Sequence, residues 1–190
     1  EAWDMLARAL HDDIDAKSLH SWQDFEHYSE HASSSSAWIF LSLVLHEYNL
    51  PLSDLRSIAN VIAQYCYLVH IMRDLRKDAL HPKPLWTIPD AAFAEIGCAR
   101  KQYHQAIIAG GDGIELLHSL DFRAQKHRAR ALEQIHNLCG QFGKTAYPIA
   151  ALFSIYMEIH NHYHGAKKNF LDSALPLAKL RKTAIDHWYK

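Results

Sequence analysis

The chain has 190 residues, 49% of them hydrophobic, with 20 Lys plus Arg against 21 Asp plus Glu and a formal net charge of −1. That length fits one domain, 1–190, with enough apolar material for a real core. The near-neutral balance gives no basic field for nucleic acid, no recognition motif for it is present, and no apolar run reaches membrane-spanning length.

Helical periodicity dominates, and no run alternates as a strand would. Ser21 and Asp24 have the spacing of a capping box and predict a helix to about Tyr48, ended by Asn49-Leu50-Pro51. Ser53 is placed to cap the next helix, which runs to about Leu80 with Leu55, Ile58, Ile62, Cys66, Val69 and Met72 at helical spacing. His81-Pro82-Lys83-Pro84 breaks it. A short helix follows Pro89 and stops at Gly97, and another covers Cys98 to Ala109. Gly110-Gly111-Asp112-Gly113 forms a turn that lacks the Lys-Ser/Thr signature of a phosphate loop. Asp121 is placed to cap a helix to about Phe142, the next spans Lys144 to Tyr163, and Pro176 opens a last one ending near Tyr189. The expected architecture is a single all-α bundle of seven or eight helices.

Three cysteines, Cys66, Cys98 and Cys139, lie far apart and form no C-x-x-C. Their odd number fits a reduced compartment better than a disulfide scaffold. Cys66 sits on an apolar stripe and reads as core. The start at Glu1, without Met or a signal-peptide pattern, suggests a trimmed protein with residues upstream.

The stretch from Leu68 to Ala79 carries the most chemistry. Asp74 and Asp78 lie one helical turn apart on a face shared with Tyr67 and His70. Two carboxylates so placed can share Mg2+, and the ions can hold a diphosphate. The bland alternative is a paired surface, since His70 and Lys77 are both within helical reach of Asp74. Of the 15 histidines, His27/His31 and His160/His164 are spaced i, i+4 and could each grip Zn or Ni. No third ligand shows in the sequence, so surface pairs are expected.

From these residues the chain resembles the squalene/phytoene synthase family, which joins prenyl diphosphates head to head inside an all-helical cavity. Asp13 followed by Tyr28 is similar to the family's Asp and its Tyr-Cys helix, with Ser29 in place of Cys. Ser33 to Ala37 replaces a small-residue step that lets helices approach closely. Arg73, Asp74 and Asp78 resemble the second aspartate-rich motif, with Lys77 for its Glu, His70 for its Asn and Tyr67 for a preceding Gln. Pro89, Gly97, Tyr156, Ile159 and Arg181-Lys182 extend the likeness. The family's first aspartate-rich motif lies upstream of the Tyr28 helix, outside this chain, with Asp12, Asp13 and Asp15 as candidate substitutes. The family's diphosphate-binding Arg after the Tyr156 helix falls near Ser173 or Ala174, with Lys167 and Lys168 the nearest cations.

The resemblance implies the isoprenoid synthase fold and a Mg2+-dependent prenyltransferase. Asp74 and Asp78 would be catalytic and hold metal, Arg73 with Arg181 or Lys182 would hold the phosphate, Tyr28 and Tyr67 would face the prenyl chain, and His70 would join the substrate-binding set. Its partner would be a prenyl diphosphate or similar lipid, with peripheral membrane contact. The alternative is a silent relative acting through protein partners, since the same fold serves as an assembly factor for respiratory complex I. The expected location is cytoplasm or mitochondrial matrix.

Overall fold

A computed structural model describes residues 1–15, 18–80, 87–111, 113–165 and 182. Those residues form eight α-helices and no strand. They are α1 (Ala2–Asp15), α2 (Trp22–Ser29), α3 (Ser35–Val44), α4 (Leu52–Ala79), α5 (Asp90–Glu95), α6 (Arg100–Ile108), α7 (Ile114–Phe142) and α8 (Tyr147–Tyr163). The all-α expectation holds. No helix among the described residues is long and apolar enough to cross a membrane.

The capping box at the start of α2 forms as the sequence predicts. Ser21 Oγ accepts the Asp24 N–H at 3.1 Å, and Asp24 Oδ2 accepts the Ser21 N–H at 2.8 Å. Two otherwise orphaned donors are satisfied reciprocally. Ser21→Ala is expected to lower stability by about 1 kcal/mol, read as a shifted urea midpoint at unchanged slope.

The helix expected from Ser21 to Tyr48 is not uniform. A π-helical segment, Glu30–Ser34, separates α2 from α3, and a 3-10 turn, His46–Tyr48, follows α3. The serines explain the irregularity. Ser35 and Ser36 hydroxyls bond back to the carbonyls of His31 and Ala32, which loosens the regular ladder. Ser34 Oγ reaches Asn60 Oδ1 at 2.8 Å and Ser33 Oγ reaches Ala63 O at 3.4 Å, both on α4. The small side chains thus let this segment lie directly on α4. Asn49, with φ of 48°, turns the chain out before Pro51.

Several expected starts move. Pro51, not Ser53, occupies the cap position of α4, and no side chain caps it. α6 begins at Arg100, where Gln102 Oε1 accepts the Ala99 N–H at 3.1 Å. α7 begins at Ile114, so Asp121 lies inside the helix rather than at its cap. Gly143–Ala146 is a 3-10 turn ahead of α8, whose Pro148 is in the first turn, where a missing N–H costs nothing. α1 was not anticipated. α5 ends at Glu95, and the chain turns out of it at Gly97, whose φ of +70° favours glycine, two residues beyond the helix and at the expected stop. The break at His81 to Pro84, the helix opening at Pro176, and Lys167, Lys168, Ser173, Ala174 and Arg181 lie outside the described residues.

α4 is the central element and packs against α2, α3, α6, α7, α8 and the π segment. Its Tyr65, Val69, Met72 and Leu75 are fully buried together with Leu116, Leu117 and Leu120 of α7 and Phe153 of α8. Fully burying an aliphatic side chain of this size contributes about 1.5–3 kcal/mol, so this seam fixes where every α4 side chain points.

Candidate functional site

With one face of α4 committed to the core, its remaining face carries Tyr67, His70, Asp74 and Asp78 at three- and four-residue steps. Tyr67 stacks on Phe25 of α2 with ring centroids 5.7 Å apart and lies 6.2 Å from the Tyr28 ring. On its other side it stacks on His70 at 6.4 Å. The Tyr28 hydroxyl donates to Asp13 Oδ1 of α1 at 2.7 Å. Contacts therefore run from α1 through α2 to α4. Burial pushes both phenols up, and carboxylates add to it: Asp13 acts on Tyr28, and Asp13 and Asp78 both act on Tyr67. Asp13 of α1 and Asp78 of α4 thus both act on the Tyr67 ring.

Asp74 is held by its neighbours. Arg73 donates Nε to Oδ1 at 2.7 Å and Nη2 to Oδ2 at 2.8 Å, a bidentate pair. His70 Nε2 stands 3.2 Å from Oδ2 and Lys77 Nζ 4.0 Å. Asp74 is 15% exposed and Lys77 81%. Burial acts to raise the Asp74 carboxyl, but the Arg73 hydrogen bonds and the charges of Arg73, His70 and Lys77 outweigh it and hold the group below the usual range. Burial and the Arg73 charge push His70 down, which favours a neutral ring.

Next to this cluster is an apolar cavity of about 200 Å³ between α3, α4 and α8, with Phe40, Leu41, Ala63, Cys66, Phe153 and Tyr156 in its wall. Cys66 precedes His70 by one helical turn, so the cavity wall continues along α4 into the polar cluster. Tyr156 belongs to both, lining the cavity while lying within electrostatic reach of Arg73 and Asp74. Tyr163 shares that reach. Burial pushes the Cys66 thiol up, as expected of a core cysteine rather than a nucleophile.

The structure thus brings together Tyr28, Tyr67, His70, Arg73, Asp74 and Asp78. Lys182 is helical and exposed. The sequence did not reveal that Arg73 closes over both oxygens of Asp74, nor that Tyr163 joins the cluster. The i, i+7 spacing of Tyr156 and Tyr163 was the available signal, because it puts both on one face of α8.

The histidine pairs separate. His27 and His31 lie with rings 4.6 Å apart beside an open pocket that also includes Arg8, Asp12 and Tyr28. The reading of His160/His164 as a surface pair is overturned. His160 is fully buried, and Asp121 supplies the third group that the sequence did not show. Asp121 is far away in sequence, and only the packing of α7 on α8 brings it close.

A family model described as squalene/phytoene synthase matches residues 1–182. No curated protein and no solved structure matches the chain.

Proposed function

The chain belongs to the squalene/phytoene synthase family, and from that membership we propose that it binds a prenyl diphosphate and acts as a Mg2+-dependent prenyltransferase of that type. The prenyl tail lies in the cavity between α3, α4 and α8, and the diphosphate lies at the end of α4 that carries His70, Arg73, Asp74 and Asp78. One observation carries the reading: the apolar cavity, lined by Cys66 of α4 and Tyr156 of α8, lies one helical turn from His70 and within electrostatic reach of the Arg73–Asp74 pair. A molecule with an oily tail and an anionic head has complementary surroundings at both ends. A phenol suits that boundary, because its ring is apolar and its hydroxyl polar.

The donor set suits the ion. Asp74 and Asp78 offer hard carboxylate oxygens one turn apart, the kind Mg2+ takes together with substrate phosphates. Bound there, the ion supplies charge neutralisation for the departing diphosphate. The chain's own part is different. Arg73 carries a fixed charge and a planar fork that matches a phosphate as well as a carboxylate. A diphosphate competing for that fork draws it from Asp74 and frees the carboxylate. Tyr28, held by Asp13, and Tyr67 pack on the α2 side of the head-group face and are not part of the cavity wall. At about 200 Å³ the cavity is smaller than the roughly 300–1,000 Å³ of common ligand sites. A long chain therefore needs Phe40 or Phe153 to swing aside.

A second reading is favoured by the bidentate Arg73–Asp74 contact itself. A carboxylate satisfied by Arg73 and flanked by His70 and Lys77 needs no metal, which suits a lipid-binding or assembly role without turnover. Incubation with Mg2+ and farnesyl or geranylgeranyl diphosphate, followed by mass spectrometry, separates the two. Coupled product is expected, falling by at least about 10²-fold in Asp74→Asn/Asp78→Asn. Prenyl diphosphate binding without product supports the silent relative. Equal binding heat in the parent and the double variant overturns the head-group site altogether.

A further inference from the structure

Away from α4's polar end, the packing of α7 on α8 gathers a second set of ligating side chains. We propose that Asp121, His160 and His164 bind a divalent transition-metal ion of the zinc class. The inference does not depend on the prenyl diphosphate reading.

The geometry comes from helix register. His160 projects from the last turn of α8, and His164, four residues on, is the residue that caps the helix, its N–H bonded to the His160 carbonyl. Asp121, inside α7, meets them from the facing helix. His160 Nε2 is 2.7 Å from Asp121 Oδ1, and His164 Nδ1 is 3.2 and 3.0 Å from Oδ1 and Oδ2. One donor atom from each residue lies within 4.8 Å of the others, and among the described residues this is the only such group of three. Tetrahedral zinc with bonds of about 2.0–2.1 Å holds neighbouring ligand atoms roughly 3.3 Å apart. The histidine–aspartate contacts are slightly inside that spacing, so a small outward rotation admits the ion.

Two further features point to a ligand. The Tyr65 hydroxyl of α4 lies 2.9 Å from His160 Nδ1. Asp121 Oδ1 accepts the Nε2–H of His160 as the side chains stand; with an ion on Nε2 the ring proton sits on Nδ1 and the Tyr65 hydroxyl accepts a hydrogen bond from it, as outer partners of metal-bound imidazoles do. His160 is fully buried, so its orientation is set by packing as well. Second, His164 Nδ1 has more neighbours than it can satisfy. It faces both Asp121 oxygens and also Gln125 Nε2 at 2.7 Å. A single ring nitrogen either donates to the carboxylate or accepts from the amide. With an ion on Nδ1 neither is needed, and Gln125 Nε2 is left to its contact with Asp121 Oδ2 at 3.3 Å.

The donor types select the ion. Imidazole favours Zn, Cu, Fe and Ni over Mg or Ca. Three protein ligands leave a fourth position for water, on the side where His164 is 51% exposed. The ion pins the end of α8 to the middle of α7.

Equilibrium dialysis of chelator-stripped protein against Zn2+ tests the site, with thermal unfolding run beside it. One tightly held ion per chain and a Tm raised by Zn2+ but not by Mg2+ are expected. His164→Ala removes a half-exposed ligand and leaves the buried packing intact. It should weaken binding at least about tenfold and abolish the Tm shift, and Tyr65→Phe should weaken it about 10–100-fold through its loss of orientation. His27→Ala/His31→Ala should change neither readout. The proposal is overturned if no ion is retained, if His164→Ala binds like the parent, or if the His27/His31 variant is the one that loses the ion.

Discussion

Phe153→Ala is expected to lower the unfolding free energy by about 3–5 kcal/mol, among the largest effects of any single substitution in this chain. Phe153 is 1% exposed and its ring lies 5.4 Å from that of Tyr65. The cost has two parts, the lost transfer of an aromatic ring from water and the hole it leaves. Collapse around that hole is restricted. Tyr65 is held by His160, and His160 by Asp121, so the α4, α7 and α8 backbones cannot close in without breaking buried hydrogen bonds. The void instead merges with the existing cavity of about 200 Å³. Urea unfolding of parent and variant measures the loss. A change under about 1 kcal/mol would mean that the walls move freely, and would remove the case for a preformed apolar room. Phe153→Leu, which keeps most of the volume, should cost less and preserve ligand binding.

Stability should also fall as pH drops below about 6.5, before carboxylates begin to protonate. His70, His127 and His160 are all pushed down from their ordinary value, chiefly by burial. For His127 the nearby Arg130, Arg123 and Lys126 add to burial and Glu26 opposes it. For His160 Asp121 opposes burial, while Arg128 and His164 act with it. A histidine whose folded pKa is depressed takes its proton in the unfolded chain first. Between the folded value and about 6.5 the unfolded state therefore binds more protons, and the folding equilibrium loses up to about 1.4 kcal/mol per pH unit for each fully buried ring. His70 is 42% exposed and contributes less. Asp74 acts in a separate window. Its pKa is lowered, so its stabilising contribution is present above the ordinary carboxylate range and disappears only at strongly acid pH. Urea midpoints with EDTA at pH 7.5, 6.5 and 5.5 should show a plateau and then a steep fall at constant slope, partly flattened in His127→Gln. Equal midpoints at pH 7.5 and 5.5 would refute the downward shift assigned to these three rings.

Local chemistry was readable wherever neighbours in sequence made it. The Ser21/Asp24 box, the stop at Gly97 and the periodicity of α4 are short-range features, and each appears where its residues predict. The misplaced starts have a common cause. Ser53 and Asp121 are good cap residues by type, yet the backbone around them is already helical, because burial of Leu55 and of Leu116, Leu117 and Leu120 outweighs a cap hydrogen bond. The π segment was hidden because Ala32, Ser33 and Ser34 can sit in a regular helix as well. Only the close approach to Asn60 and Ala63 of α4 decides between the two.

The candidate sites divide in the same way. Spacing along the chain was enough to establish that it is helical and that Tyr67, His70, Asp74 and Asp78 share one face of α4, while the family rests on its motifs' likeness and on the family model that matches residues 1–182. What those side chains meet came from packing: Arg73 folded onto Asp74, Cys66 and Tyr156 lining one cavity from two helices, and Asp121 carried 39 residues across to His160. Helix periodicity fixes direction about an axis, but the partner on the other side is set by how whole helices pack, which depends on apolar surfaces spread over the entire chain.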